Sequence, residues 1–291
     1  MSNPGLVSIG IPVHNSQNTI WKCIDSAVKQ DYLNIEIIIS DNSSTDETSN
    51  ICRQFALIDS RIKYFRQEQN IGAVANFHFV LEKANGEFFR WLAADDLITN
   101  DSISESLILL KGNLDFVACA SPTLFDYEIS RNIEAITFDL MGCQVSRIRN
   151  FFKKPGRSHG LYYSLVRRDV LDNYPFFKRD FFAFDWCLIL FLLSQGPIAT
   201  GKSSLLTLGS NGASSKSSIY SDYGLVGIRR LFPFTELIRH LIKLGHYWEP
   251  IPRIFLSMRV VTFILKDFVL EFRRVRYKIS YLRKLVVSKF V

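Results

Sequence analysis

The chain has 291 residues, of which 47% are hydrophobic, with 35 Lys+Arg against 28 Asp+Glu for a formal net charge of +7. That length fits one large domain, or one domain with an appendage, with enough apolar surface for a sizeable core. Five Cys, an odd number with no C-x-x-C pair, argue against a disulfide framework or a zinc site and for small buried hydrophobes in a reducing compartment.

The charge is unevenly placed. Residues 223–291 hold 14 Lys+Arg and 4 Asp+Glu, a balance of +10, which leaves 21 and 24, a balance of −3, for residues 1–222. A basic appendage that meets something anionic is expected. The opening Met-Ser-Asn-Pro-Gly has neither a positive run nor an apolar segment, so no secretory leader is expected. No uncharged apolar run reaches the roughly 18 residues of a membrane span; the richest stretch, 254–270, is broken by Arg259, Lys266 and Asp267.

Along the first 120 residues, strand and helix signals alternate. Residues 6–13 are a short apolar run ending at Pro12, His14 and Asn15, and read as a buried strand. Ile20, Ile24, Ala27 and Val28 recur at helical spacing within 16–30. Residues 35–40 are a second buried strand. Ser44 followed by Glu47 has capping-box form and predicts a helix start there. Residues 61–65 form a third strand and 73–83 a helix, with Asn85-Gly86 as its stop. A fourth strand, 88–92, ends just before Asp95-Asp96. A helix over about 101–111 and a strand over 115–120 follow.

Such alternation implies βαβ units and a mostly parallel sheet covered on both faces, with its ligand crevice at the carboxyl ends of the strands. Three strand ends deliver polar groups there: His14-Asn15, Asp41-Asn42 and Asp95-Asp96. From 121 to 160 the pattern weakens; residues 161–169 read as a strand, 181–194 as an apolar segment around Asp185, and 201–222 as a Ser- and Gly-rich loop.

Each constellation has a functional and a plain reading. Adjacent Asp95 and Asp96 repel each other unless a cation sits between them and a phosphate, the setting in which Mg²⁺ or Mn²⁺ takes one or two carboxylates; otherwise they cap the next helix. Asp41, at a strand end before small polar residues, suits a base or ribose, or serves as part of an N-cap. Gly72 in Asn70-Ile71-Gly72 allows close backbone approach or a plain turn. Asp185 in an apolar setting suits a general base, or caps the helix that follows.

Together these segments resemble the family 2 glycosyltransferases. Residues 7–15, Val-Ser-Ile-Gly-Ile-Pro-Val-His-Asn, are similar to that family's first strand and Pro-x-Tyr-Asn signature, with His14 in place of Tyr. Residues 38–48 resemble its nucleotide-binding segment, and Asn70-Ile71-Gly72 its Asn-x-Gly. Residues 91–96, Trp-Leu-Ala-Ala-Asp-Asp, fall where the family carries its metal-binding acids, with Ala93 in place of the first acid.

The resemblance implies an α/β, A-type glycosyltransferase fold. It has a Rossmann-like, mostly parallel sheet flanked by helices, and an inverting transfer from a nucleotide-sugar donor, UDP-sugars favoured. Pro12, His14, Asn15, Asp41, Asn70, Gly72 and Asp95 would line the donor site, Asp95 and Asp96 would hold Mn²⁺ or Mg²⁺, and Asp185 would be the catalytic base. The expected organisation is a catalytic domain over 1–222 (donor half 1–120, acceptor half 121–222) and a basic, helical extension over 223–291.

The acceptor is expected to be a saccharide or lipid-linked saccharide of bacterial surface polysaccharide or glycolipid synthesis. The basic, aromatic-rich 254–291 segment suits an anionic membrane surface, hence a peripheral position on the inner face of the plasma membrane. No nucleic-acid-binding motif accompanies the charge, so nucleic acid is not an expected partner. A sugar nucleotidyltransferase would want a Gly-rich, basic loop after the first strand, and a dinucleotide oxidoreductase a G-x-G-x-x-G; neither is present. The remaining rival is an inactive family member that binds a nucleotide or a partner, prompted by Ala93.

Overall fold

The computed structural model describes residues 3–131, 133–175, 183–209 and 234–249, together with 257, 259 and 262. The chain opens with β1 (Asn3–Val13), α1 (Ile20–Val28), β2 (Ile35–Asp41), α2 (Thr48–Ile58), β3 (Ile62–Arg66), α3 (Ala73–Glu82) and β4 (Gly86–Trp91). It continues with β5 (Leu97–Ile98), α4 (Ser102–Gly112), β6 (Ala118–Ala120), β7 (Thr123–Phe125), α5 (Asp126–Ile129), α6 (Gln144–Phe151), α7 (His159–Tyr162), β8 (Leu165–Arg167) and α8 (Arg168–Asp172). Then come α9 (Phe184–Gln195), β9 (Ile198–Thr200), β10 (Leu206–Leu208) and α10 (Thr235–Lys243).

The main sheet has seven strands in the order β3-β2-β1-β4-β8-β6-β9. Its pairs are parallel except for those of β8, which runs antiparallel to β4 and β6. Every residue of β2 is buried, as a β-branched strand covered on both faces should be. A smaller, separately hydrogen-bonded sheet, β5-β10-β7, shares an apolar cluster with β1 and β2 through Ile98, Leu206 and Leu208.

The order 3-2-1-4 reverses direction at β1, so the switch point lies between β1 and β4. Pairing of β1 with β4 runs to Gly10↔Trp91, whereas pairing with β2 continues to Val13↔Asp41. Pro12, which has no N–H to donate, falls where β1 leaves β4. The crevice opens at that point.

One apolar cluster packs α1 and α4 against β1 and β2; a second joins α3, α6 and α9 to the other side of the sheet. Helix α9 is buried on nearly all sides, from Trp186 to Ser194, which explains its apolar sequence. Phe234 stacks on Trp186 at 5.7 Å, and Leu237, Leu244 and Trp248 join the same cluster. The helix described in the basic C-terminal part, α10, is therefore core-packed.

Several local expectations are corrected. Ser44 does not cap α2, which begins after Glu47 with no side-chain cap. Its amide and hydroxyl are taken by Asp41 and Asn15 instead, because the strand-end loop competes for them. Helix α3 stops at Lys83, in right-handed conformation, and Gly86 already belongs to β4. The strand expected over 115–120 is only Ala118–Ala120, and the one over 161–169 divides into the end of α7, β8 and the start of α8. Asp101, not Asp95 or Asp96, stands at the N-cap of α4, and Ala183, not Asp185, at that of α9. The 222/223 boundary, the loop over 210–222 and nearly all of the basic 254–291 segment lie outside the described residues.

Candidate active site

Among the described residues, three non-glycine residues have positive φ: Asn15 (48°), Ser43 (60°) and Ala183 (63°). The first two follow β1 and β2; the third precedes Asp185. Left-handed backbone is disfavoured for side-chain-bearing residues and persists only where the surroundings enforce it. All three lie in the segments that carry candidate site residues.

The ends of β1 and β2 are laced together. Asn15 Oδ1 accepts the Thr45 amide at 2.8 Å, and the Asn15 amide donates to Ser44 Oγ at 2.9 Å. His14 Nε2 lies 3.4 Å from Asn70 Nδ2, while Asn70 Oδ1 accepts from Asn42 Nδ2 at 3.0 Å and from the Gly72 amide at 2.9 Å. His14 and Asn15 stay exposed, and Pro12 is buried beneath them. Four of the residues expected at the donor site, His14, Asn15, Asn70 and Gly72, thus form one rim, with Asn42 as its clasp.

Asp41 sits deeper, with 0% of its surface exposed. Its Oδ1 accepts the Ser44 amide at 2.8 Å; its Oδ2 takes Tyr64 Oη at 2.8 Å, Arg66 Nη1 at 3.0 Å and the Ser49 hydroxyl. Burial pushes this carboxyl up, but the hydrogen bonds from Ser44, Ser49 and Tyr64 outweigh it and hold the group below its ordinary value.

The end of β4 behaves differently. Asp96 is 3% exposed, and its Oδ1 accepts the Gly209 amide at 2.9 Å. Its Oδ2 is buried without a hydrogen-bond partner. Burial first, and then the neighbouring Asp95, push the Asp96 carboxyl well above its usual range; the Gly209 amide and Arg90 pull it only part-way back. Position 209 tolerates nothing larger than glycine, because a Cβ there would come within 2.4 Å of the Asp95 carbonyl and 2.6 Å of its Oδ2. Antiparallel pairing of β10 with β5 delivers Gly209 to this spot.

Arg90, fully buried in β4, donates to Ser102 Oγ at 2.7 Å, and burial lowers its pKa to about 10 against the pull of Cys119 and Asp96.

Two adjacent acids, one with a buried and unpartnered oxygen, fit a divalent cation. Among the described residues no group of three or more His, Cys, Asp and Glu converges as a metal cage. Such an ion would draw its remaining ligands from diphosphate oxygens and water, a mode Mg²⁺ commonly adopts.

Asp185 lies in the first turn of α9, where exposed amides favour an anion. Its side chain is 20% exposed, and its Oδ2 lies 3.6 Å from His159 Nδ1. Tyr163 packs against both apolar clusters. Its phenol is pushed well above its ordinary value by burial, and then by Asp96, Asp95, Tyr162 and Asp185. All three acids therefore lie within electrostatic reach of one ring.

The structure brings His14, Asn15, Asn70 and Gly72 together at one rim and sets the other expected residues at the ends of β2 and β4 and the start of α9; to these it adds the neighbours Tyr64, Arg66, Arg90, His159, Tyr163 and Gly209. Arg90 had left a signal, a charge inside the apolar run 88–92. The others had none, since each depends on a partner distant in the chain.

The sequence profile of Glycosyl transferase family 2 matches residues 8–175, more than half of the chain. The chain belongs to that family. Among curated relatives, it is 36% identical to "Glycosyltransferase GlyA" of Streptococcus pneumoniae over 97 residues, covering 33% of this chain and 14% of that protein. It is 28% identical over 272 residues to the UDP-Glc:alpha-D-GlcNAc-diphosphoundecaprenol beta-1,3-glucosyltransferase WfgD of Escherichia coli, covering 92% of this chain and 97% of that one. The chain thus spans only a small part of GlyA but nearly all of WfgD.

The fold matches solved glycosyltransferases. Staphylococcus aureus TarS 1-349 in complex with UDP-GlcNAc aligns with TM-score 0.59 at 17% identity, covering 83% of this chain and 71% of that one. The mannosyltransferase PcManGT of Pyrobaculum calidifontis, in complex with GDP-Man and Mn²⁺, aligns with TM-score 0.56 at 18% identity, covering 86% and 68%. This is the A-type glycosyltransferase fold, a mostly parallel sheet flanked by helices.

Proposed function

We propose that this chain transfers a sugar from a nucleoside-diphosphate donor, a UDP-sugar first among them, to a hydroxyl of a lipid-linked saccharide, with inversion at the anomeric carbon. The observation that carries the reading is a pair of separate acid groups: Asp95-Asp96 after β4, with the Asp96 Oδ2 buried and unpartnered, and Asp185 in the first turn of α9. An inverting displacement needs its base opposite the leaving group, and two separated acid sites supply that division of labour.

The rim of His14, Asn15, Asn70 and Gly72 would receive the nucleoside, with Pro12 as its floor. Asp41 would shape that floor through its hold on Tyr64 and Arg66. Asp95 and Asp96 would hold a divalent metal, Mn²⁺ or Mg²⁺, whose chemistry is to neutralise charge on the diphosphate. Asp185 would accept the proton of the acceptor hydroxyl as its oxygen bonds to the anomeric carbon. The bond from that carbon to the diphosphate breaks on the opposite side, and the nucleoside diphosphate leaves.

The lipid-linked acceptor is supported by the name of the E. coli relative and by that of a second one. The chain is 27% identical over 174 residues to the GalNAc(5)-diNAcBac-PP-undecaprenol beta-1,3-glucosyltransferase of Campylobacter jejuni. No helix among the described residues is long and apolar enough to cross a membrane. In this reading the enzyme works peripherally on the inner face of the membrane, with the basic residues of 254–291 supplying the attraction.

A thermal-shift screen of UDP, GDP, CDP and TDP, each with and without Mn²⁺, tests the donor site. Ligands that bind the folded state raise its apparent stability. The expected result is a Mn²⁺-dependent shift for UDP that Asp96→Asn removes. A well-folded sample that answers to none of the four would overturn the reading.

A further inference from the structure

Asp185 is held from two directions. The first is its own helix: Ala183 in left-handed conformation turns the chain into α9 and sets Asp185 in the first turn, by the free amides. The second is His159, at the start of α7, with Nδ1 3.6 Å from Asp185 Oδ2. That separation is an ion-pair distance, longer than a hydrogen bond, and catalytic contacts often tighten only when substrate binds.

His159 is itself built into place by three elements. Behind it, Gly160 presses on β7, where a Cβ would fall 2.1 Å from Thr123 Oγ1, so α7 can approach this closely only with glycine there. The imidazole meets the ring of Phe125 edge-on at 6.3 Å. The ring of Phe125 is also engaged by the Arg157 guanidinium, 5.5 Å from its centroid. Arg157 is neutralised by Glu128, at 2.7 Å, and Glu128 in turn accepts the Phe125 amide at 3.0 Å. Among the described residues, the charged groups that act on His159 are Asp185 from α9 and Arg157 from the turn before α7. With Arg157 paired to Glu128, Asp185 is the dominant one.

Resting on the assignment of Asp185 as base, we propose that His159 is a positioning residue for transfer: as a cation beside Asp185, it steers the Asp185 carboxylate toward the acceptor hydroxyl. The pairing with Asp185 raises the His159 imidazole above its ordinary value, ahead of the opposing effects of burial and Arg157. When protonated, His159 therefore sets a cation 3.6 Å from the Asp185 Oδ2. The half-exposed position of His159, 36% for its side chain, makes this a moderate effect.

The test is the pH profile of kcat for the full chain, wild type against His159→Gln and His159→Lys, with Asp185→Asn as control. Mn²⁺-dependent UDP binding by thermal shift serves as the check of folding. In His159→Gln the acid limb is expected to move up by about half to one pH unit, with kcat at pH 7 down about tenfold and donor KM within about twofold. His159→Lys, which restores a cation, is expected to return the acid limb toward its wild-type position. An acid limb that stays in place in a folded His159→Gln protein overturns the proposal and leaves Asp185 as base. Near-wild-type turnover by Asp185→Asn overturns the base assignment and the proposal with it. If His159→Gln fails to fold, His159→Lys decides: a wild-type acid limb supports the cation's role, and one shifted upward overturns it.

Discussion

The ends of β2 and β4 carry buried carboxylates one strand apart from β1, yet the two carboxylates have opposite surroundings. Asp41 is surrounded by donors from Ser44, Ser49, Tyr64 and Arg66, and is held ionised. Asp96 has the Gly209 amide on one oxygen, nothing on the other, and Asp95 next to it, so its charge is opposed. A satisfied buried carboxylate stabilises a fold, while an unsatisfied one is a standing cost that a cation can relieve. The contrast separates a carboxylate whose two oxygens are both partnered from one that keeps an oxygen open.

The sharpest way to break that contrast is Asp96→Asn. Turnover is expected to fall by roughly 100-fold or more, the scale of losing one preorganised electrostatic contact. The melting temperature is expected to hold or rise, because the amide removes the repulsion with Asp95. A drop in melting temperature would place Asp96 in the same structural class as Asp41.

Asp41→Asn should do the reverse. Asn keeps one acceptor oxygen but turns an NH2 donor toward either the Ser44 amide or the Ser49, Tyr64 and Arg66 donors, and it removes the charge that pairs with Arg66, so stability to urea is expected to fall by roughly 3 kcal/mol. Because the folded-state value of Asp41 is depressed, its contribution is present above its unfolded value, about 3.9, and is lost as pH falls through the lower folded value. Urea midpoints at pH 7 and pH 3 should therefore differ less in Asp41→Asn than in the wild type. Undiminished stability with a lost UDP shift would instead assign Asp41 to direct contact with the base.

Gly209→Ala addresses the contact that distinguishes the β4 end. A Cβ against Asp95 forces the β10 end away from the acid pair, at a cost of about 1–3 kcal/mol. The Mn²⁺-dependent UDP shift is expected to shrink as well; an unchanged shift would separate the Gly209 amide from donor binding.

The smallest effect is expected at Glu105. Burial raises its carboxyl, but the Ser204 hydroxyl and the amides of Ser203, Lys202 and Ser204 outweigh this and pull it down to about 2. Its contribution is full above its unfolded value of about 4.3 and is lost as pH falls toward about 2. Glu105→Gln should flatten that part of the acid-unfolding curve, read by circular dichroism, and leave pH 7 turnover unchanged.

Much of the first half of the molecule was legible because its signals are local. Apolar runs of 5–8 residues over β1, β2 and β4 could only be buried strands, and the polar residues at their ends had to face the crevice. Residues 121–208 were less legible because their strands are three residues long and their helices α5, α7 and α8 four or five. Elements that short carry no period, and their geometry is imposed by contacts such as Gly160 against Thr123. The capping box at Ser44 misled for a related reason: Asp41 and Asn15 compete for Ser44 only after β1 and β2 have paired.

The sequence by itself determined the alternation of strand and helix, the crevice at the strand ends, and the acids that line it, since these follow from apolar periodicity and motif order. Only the tertiary structure decided which acid is saturated and which is left wanting, that His159 stands beside Asp185, and that Gly209 closes on Asp95 and Asp96. Those properties belong to pairs of residues 25 to 114 positions apart, whose encounter depends on sheet order and strand pairing, and no local pattern encodes them.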